Sequence, residues 1–161
     1  MKQYNNDLSA EILASFNEPT FTPEQIAGMA DSARAIIAEQ KEINRRHPVN
    51  KIYRFATVGS LTRQGGIVRE THHKAKMQAE NGEMMSIALK GDEVVYPDGT
   101  TARIATSTGK SKTYGGVGIA VVGSKLDNGD EIISTPQSGA MCVDREGLPS
   151  AKDFLADETT V

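Results

Sequence analysis

Three glycines, Gly59, Gly91 and Gly123, stand 32 residues apart, and each lies in the same short pattern, Ala-x-x-Gly followed by Ser or Asp. The copies begin Ala56-Thr57-Val58-Gly59-Ser60, Ala88-Leu89-Lys90-Gly91-Asp92 and Ala120-Val121-Val122-Gly123-Ser124. Equal spacing twice over means one supersecondary unit used three times, none of which could bury a face alone. The residue types say what the unit is. A strand ends at a glycine that tolerates the φ of a sharp bend, and the Ser or Asp after it can hydrogen-bond the turned backbone. Five residues after each glycine come Gln64, Tyr96 and Asn128, followed by a second punctuator, Gly65, Pro97 or Gly129. β-formers return at Ile67–Val68, at 101–104 and at 131–134. Each unit therefore reads as strand, sharp loop and returning strand, and three of them around an axis could share one core.

Composition agrees with short strands and many turns. The 161 residues include 15 Gly and no Trp, with aromatics at 5% and apolar residues at 38%, too little for a large core. Alternation at Met85, Ile87 and Leu89, and at Val117, Ile119 and Val121, supplies further strand signals. The reading is a mainly β fold over residues 51–136, a helical N-terminal extension over 1–50 and a C-terminal extension over 137–161.

In the extension, Leu8, Ile12 and Phe16 share a helix face and Pro19 interrupts it. Thr22, Pro23 and Gln25 form the start of a second helix, with a capping box. Ile26, Met29, Ala33, Ile36 and Ile43 then give a narrow apolar stripe, suited to packing on its own domain or to docking another protein. Arg45 and Arg46 close that helix at the end its dipole favours. The polar segment 71–82, with His72 and His73, reads as a loop or short helix, and 153–161 as a mobile tail.

At the repeat the chain resembles the PAAR-repeat proteins. That family's first turn often reads Gly-Asp-x-Thr-Ser-His-Gly-Gly-x-Val, against Gly-Ser-Leu-Thr-Arg-Gln-Gly-Gly-Ile-Val from Gly59 to Val68. Its Gly-Asp and Cys-Pro-x-x-Gly elements compare with Gly91-Asp92 and Tyr96-Pro97-Asp98-Gly99. Its third Ala-x-x-Gly-Asp and Cys-Gly compare with the segment from Ala120 to Ser124 and with Asn128-Gly129. The resemblance spans about residues 52–136. It implies a short pseudo-threefold β-cone whose tip carries the turns of Gly59, Gln64, Gly65, Gly91, Tyr96, Pro97, Gly123, Asn128 and Gly129. It implies a membrane-piercing cap on the trimeric β-helical (VgrG-like) spike of a type VI secretion system or phage-like contractile tail, one copy per trimer. Such a protein is cytoplasmic on the assembled spike and is then ejected into the target cell, or sits at the virion tail tip. Family members typically hold zinc with histidines and a cysteine. Gln64, Tyr96 and Asn128 stand at the matching positions, and amides and a phenol are poor zinc ligands, so no cofactor is expected.

Other classes fit less well. Net charge is -3, without the basic domain of a nucleic-acid binder. A lone Cys142 excludes an intrachain disulfide and reads as a packing residue. The first seven residues lack the apolar run of a secretory signal. No stretch approaches the ~20 apolar residues of a membrane span, so no stable membrane anchor is expected. Thr108-Gly109-Lys110-Ser111 lacks the earlier glycine of a phosphate loop, and Gly116-x-Gly118 lacks the third glycine of a dinucleotide turn. Asp127 and Asp130 are explained by turn chemistry. No catalytic set emerges, and the expected protein is not an enzyme. Two alternatives accompany the spike-tip reading. One is an adaptor whose N-terminal helices recruit an effector or its chaperone. The other is a small β-fold enzyme such as a hydrolase.

Overall fold

In the computed structural model, which describes residues 2–69 and 73–156, the chain is mainly β with three helices and several small sheets. The helices are α1 (Ala10–Phe16), α2 (Pro23–Ala27) and α3 (Asp31–Arg46). Ser9 caps α1 by accepting from the Ile12 N–H. Thr22 and Gln25 make the expected capping box, with Pro23 at the first helical position. The stripe from Ile26 to Ile43 is divided between two helices, because the backbone leaves the helix at Gly28. None of the three helices buries a residue.

The strands follow as β1 (Val49–Arg54), β2 (Leu61–Thr62), β3 (Ile67–Val68), β4 (Lys76–Gln78), β5 (Met84–Ser86), β6 (Glu93–Val95), β7 (Thr101–Arg103), β8 (Thr113–Tyr114), β9 (Val117–Gly118), β10 (Ile132–Ser134) and β11 (Met141–Arg145). Strands β10, β2, β3, β6 and β7 form one sheet in that order, while β1 pairs with β11, β4 with β5 and β8 with β9. The segment 71–82, expected as loop or short helix, contributes β4 at its described end; His72 lies outside the described residues.

Two compact units divide the chain differently from the 1–50, 51–136 and 137–161 boundaries. Residues 2–6 and 150–156 group with the described residues of 53–142, and residues 143–149 group with 7–52. In the β-unit, the N-terminal strap earns its place through hydrogen bonds. Tyr4 bridges Thr135 through bonds of 2.8 and 2.9 Å. Asn6 accepts from the Arg54 N–H and donates to the Val122 carbonyl. The C-terminal segment is docked as far as Ala156, contrary to the mobile tail expected from 153. Leu155 N–H donates to the Ser107 carbonyl at 2.7 Å, and the Phe154 ring meets Tyr53 edge-on, centroids 4.8 Å apart. Residues 157–161 lie outside the described residues.

The core lies where the three units meet. The N–H of Ala56 donates to the Ala120 carbonyl, that of Ala120 to Ala88, and that of Ala88 to Ala56, each at 2.9 Å. The bonds form a closed ring. All three alanines are fully buried in one cluster with Val68, Val94, Ala102, Ile104, Val122, Leu126 and Ile132. Two residues along, the interstrand bond repeats: Val58 to Ser86 at 3.0 Å, Lys90 to Gly118 at 2.9 Å, Val122 to Arg54 at 2.8 Å.

Candidate functional site at the turns

Each strand leaves the ring into the same turn. The N–H groups of Ser60, Asp92 and Ser124 donate to the carbonyls of Thr57, Leu89 and Val121, at 2.9 to 3.0 Å. Gly59, Gly91 and Gly123 occupy the third turn position with φ of 91, 93 and 106°, a left-handed conformation that side chains resist. The side chain after each glycine turns back to cap its turn. Ser60 Oγ, Asp92 Oδ2 and Ser124 Oγ accept from the N–H groups of Thr57, Leu89 and Val121, at 3.0, 2.7 and 3.0 Å. The three glycines thus sit in matching environments, and the pattern that defined the repeat has a local cause at every position.

The second turns match as well, with one shift of register. In each, a hairpin loop closes with a glycine in the left-handed region: Gly65 (φ 92°), Gly99 (φ 87°) and Gly129 (φ 86°). The closing bonds run from Gly65 to Thr62, Gly99 to Tyr96 and Gly129 to Leu126. Gln64, Asp98 and Asn128 are therefore equivalent, and Tyr96 corresponds to Thr62 and Leu126. The ungapped comparison that set Tyr96 beside Gln64 and Asn128, and Pro97 beside Gly65 and Gly129, is two residues out. The cause is a longer middle hairpin. Gly59 and Gly123 bond the carbonyls of Val68 and Ile132, nine residues on, whereas Gly91 bonds Ile104, thirteen residues on. Pro97 sits at the second turn position, where its fixed φ fits.

The longer hairpin carries Tyr96 across to the third unit. Tyr96 Oη donates to Asp130 Oδ2 at 2.5 Å and accepts from Asn128 Nδ2 at 3.0 Å. Asp130 Oδ1 accepts from the N–H groups of Gln64 (3.1 Å) and Glu131 (2.8 Å), and the Thr62 hydroxyl also bonds this carboxylate. One buried carboxylate, 2% exposed, thus ties together turns from all three units. Burial alone would raise its pKa. The bonds from Thr62, Tyr96, Glu131 and Gln64 outweigh burial and hold the carboxyl below the usual range. Burial, and then the Asp130 carboxylate, push the Tyr96 phenol up. In the sequence Asp130 reads only as a turn residue, because an acid beside a turn glycine has a sufficient local explanation. Its bond to Tyr96 spans 34 residues and leaves no signal in either neighbourhood.

These atoms do not fit a zinc ion. The Tyr96 oxygen and both functional ends of the Asn128 amide are engaged in hydrogen bonds, and Asp130 already accepts from four groups. His73 lies elsewhere, its Nε2 2.8 Å from Asp92 Oδ2, and Cys142 Sγ is 3.8 Å from the Tyr53 carbonyl. Among the described residues no group of three or more His, Cys, Asp or Glu converges. The phosphate-loop look-alike is a 3-10 turn, Gly109–Ser111, whose Lys110 N–H is taken by the Asp153 carboxylate at 2.8 Å. Gly115 and Gly116, both at positive φ, make the tight β8–β9 turn.

Gly66 is the tightest of the glycines in these hairpin turns. A Cβ there would lie 2.5 Å from Val94 Cγ1 and 2.9 Å from both Thr62 Oγ1 and Tyr96 Cε1. Gly66→Ala should cost about 2 kcal/mol through overpacking. Gly65→Ala has open space and should cost only about 1 kcal/mol, for its left-handed φ. Chemical denaturation of both variants checks the order.

No protein-family model matches the chain, and the comparisons with curated proteins and with solved structures return no match either. No helix of the described residues is long and apolar enough to cross a membrane.

Proposed function

We propose that the three units form a pseudo-threefold cone of the PAAR type and that the protein caps the trimeric β-helical spike of a contractile injection machine. The observation that carries this reading is the closed ring of alanine hydrogen bonds, with the same turn leaving it three times. A trimer end presents three equivalent strand edges with unpaired backbone groups, which must be paired or covered. A single chain with three equivalent strands can meet all three at once. The strand pairs β4–β5, β8–β9 and β1–β11 precede the ring along each strand, and the turns follow it. The base would then include β4–β5 and β8–β9, where Met84, Tyr114 and Val117 are exposed, and the turns would point away. In this reading hydrogen bonds around Asp130 close the tip, zinc is not required and no catalytic step is involved. The protein waits in the cytoplasm on the spike and leaves with it, either into a target cell or as part of a virion tail. It takes no nucleic acid partner and no membrane anchor.

Mixing the protein with a spike trimer encoded beside it should give one copy per trimer by light scattering. The complex should weaken little with salt, since the base would bind by backbone pairing and apolar packing. Three copies per trimer, or no complex with any neighbouring spike, would remove the basis for this function.

The adaptor role is a second reading with its own support. The helical unit buries no helical residue, and it has a cleft of about 430 Å³ lined partly by Phe16, Phe21, Ile26, Ile36 and Ile37. Ile36 is 66% exposed. An effector or its chaperone is the partner this cleft would take. Charge substitution at Ile36 should then abolish cargo delivery and leave spike binding intact. The hydrolase alternative gains nothing from the residues brought together at the turns.

A further inference from the structure

The outer wall of the β-unit breaks the threefold pattern at one place. The bonds from Gly59, Gly91 and Gly123 to Val68, Ile104 and Ile132 set the three hairpins in register. At matching outward positions the hairpins carry the cross-strand pairs Leu61–Ile67, Glu93–Arg103 and Lys125–Glu131. Two units place opposite charges there, which suits a wall in water. The first places two aliphatic side chains, and Ile67 is 48% exposed. Beyond Ile67 stands its other cross-strand neighbour, Val95. Beyond Leu61 stands Ser134, beside a register shift that leaves Ile133 37% exposed. Cross-strand neighbours share a face, so an aliphatic row crosses adjacent strands of the sheet. Charged rows flank it. Arg63 pairs with Glu131, whose cross-strand neighbour is Lys125, and Arg69 pairs with Glu93, whose cross-strand neighbour is Arg103. Each flank runs cation, anion, cation. The bridges Ile104–Leu126 and Lys125–Glu131 carry the sheet round from β7 to β10. The wall therefore offers no free strand edge, and a partner meets it through side chains.

We infer that this wall binds a second copy of the chain, in an isologous contact centred on Leu61, Ile67 and Val95. Such a contact requires one patch that is complementary to itself. An aliphatic row meets that requirement. So does a rim that alternates in sign on both flanks, because arginines of one copy can be set against Glu93 and Glu131 of the other. A uniformly acidic partner or an anionic lipid surface would instead meet those two glutamates beside its best contacts. An apolar centre with a polar rim is also the common anatomy of a protein interface. The patch is small, so the dimer is a weak one. The inference goes beyond the spike reading, because it uses the wall rather than the base or the turns and is tested without any spike.

Sedimentation equilibrium of the whole chain should show monomer–dimer exchange with a Kd on the order of 100 μM, as suits a contact below about 1,200 Å². Amide shifts that change on dilution should centre on residues 61–68, 93–95 and 131–134. Leu61→Glu combined with Ile67→Arg gives the first hairpin the pair that the second carries as Glu93–Arg103. It should weaken the dimer at least about tenfold, and an unchanged unfolding midpoint shows that the fold accepts it. Ile133→Lys, at the exposed register shift, should act in the same direction. Ile36→Lys, on the exposed face of the helical unit, should leave the dimer intact. A chain that stays monomeric at about 1 mM, dilution shifts centred elsewhere, a dimer unaffected by both wall variants, or one lost in Ile36→Lys overturns the proposal.

Discussion

Replacing Asp130 by alanine should lower the unfolding free energy by about 3 kcal/mol, since it removes a buried charged acceptor from several donors at once. The N–H groups of Gln64 and Glu131, the Tyr96 phenol and the Thr62 hydroxyl all lose their acceptor. Water can reach an exposed turn N–H, but Thr62 is 3% exposed and has little access to it. Asp130→Asn should cost less than alanine. Its oxygen can still accept from the two backbone N–H groups, while its NH₂ faces a phenol oxygen able to accept.

The same site predicts how stability changes with acid. The Asp130 carboxyl is held below its ordinary value of 3.8 in the folded chain. A depressed carboxyl stabilises the fold at pH above the unfolded value, and that contribution is lost as pH falls through the folded one. The difference between the wild type and Asp130→Ala should therefore be constant near neutrality and shrink on acidification below the ordinary aspartate range. In Asp130→Asn this contribution to the pH dependence is absent. Denaturant titrations of the three proteins at several pH values measure it. A difference that stays flat into strong acid would mean that the carboxylate is not the group holding the turns.

The sequence revealed what backbone geometry demands and concealed what side chains do at a distance. Gly59, Gly91 and Gly123 were legible because a left-handed φ at a fixed turn position admits little else. The capping Ser or Asp was legible for the same reason, since it bonds a backbone group three residues away. The longer middle hairpin was not, because Pro97 is itself a turn residue and fell where Gly65 and Gly129 stand. Asp98 and Asn128 do make the same bond, accepting from the N–H two residues on. That shared Asx chemistry, with Gly99 after it, was the available signal for the correct register. The docked C-terminal segment was illegible because it rests on Phe154 meeting Tyr53, a contact across 101 positions. The break between α2 and α3 was written plainly as Gly28 in the apolar stripe, yet the stripe's period overrode it.

Substitution at the alanine ring is the sharpest test of the repeat, because equivalence makes a quantitative demand. Ala56, Ala88 and Ala120 each donate to one neighbour, accept from the other and have no exposed surface. A leucine at any of them adds three carbons where three backbones already meet at hydrogen-bond distance. The strands cannot separate to make room without breaking the ring. The expected cost is about 3 kcal/mol, the upper end for overpacking. Glycine at the same positions removes one methyl and adds chain freedom, for about 1 to 2 kcal/mol. If the three units are equivalent in packing as well as in backbone bonding, the three leucine variants should lose similar stability, and so should the three glycine variants. The losses should agree to within about 0.5 kcal/mol, the scatter of independent sites. Equilibrium denaturation of the six variants gives the comparison directly. A leucine accepted at one position but not at the other two would show that the ring is regular only in its backbone. The middle unit, with its longer hairpin, is where such an exception should be sought first.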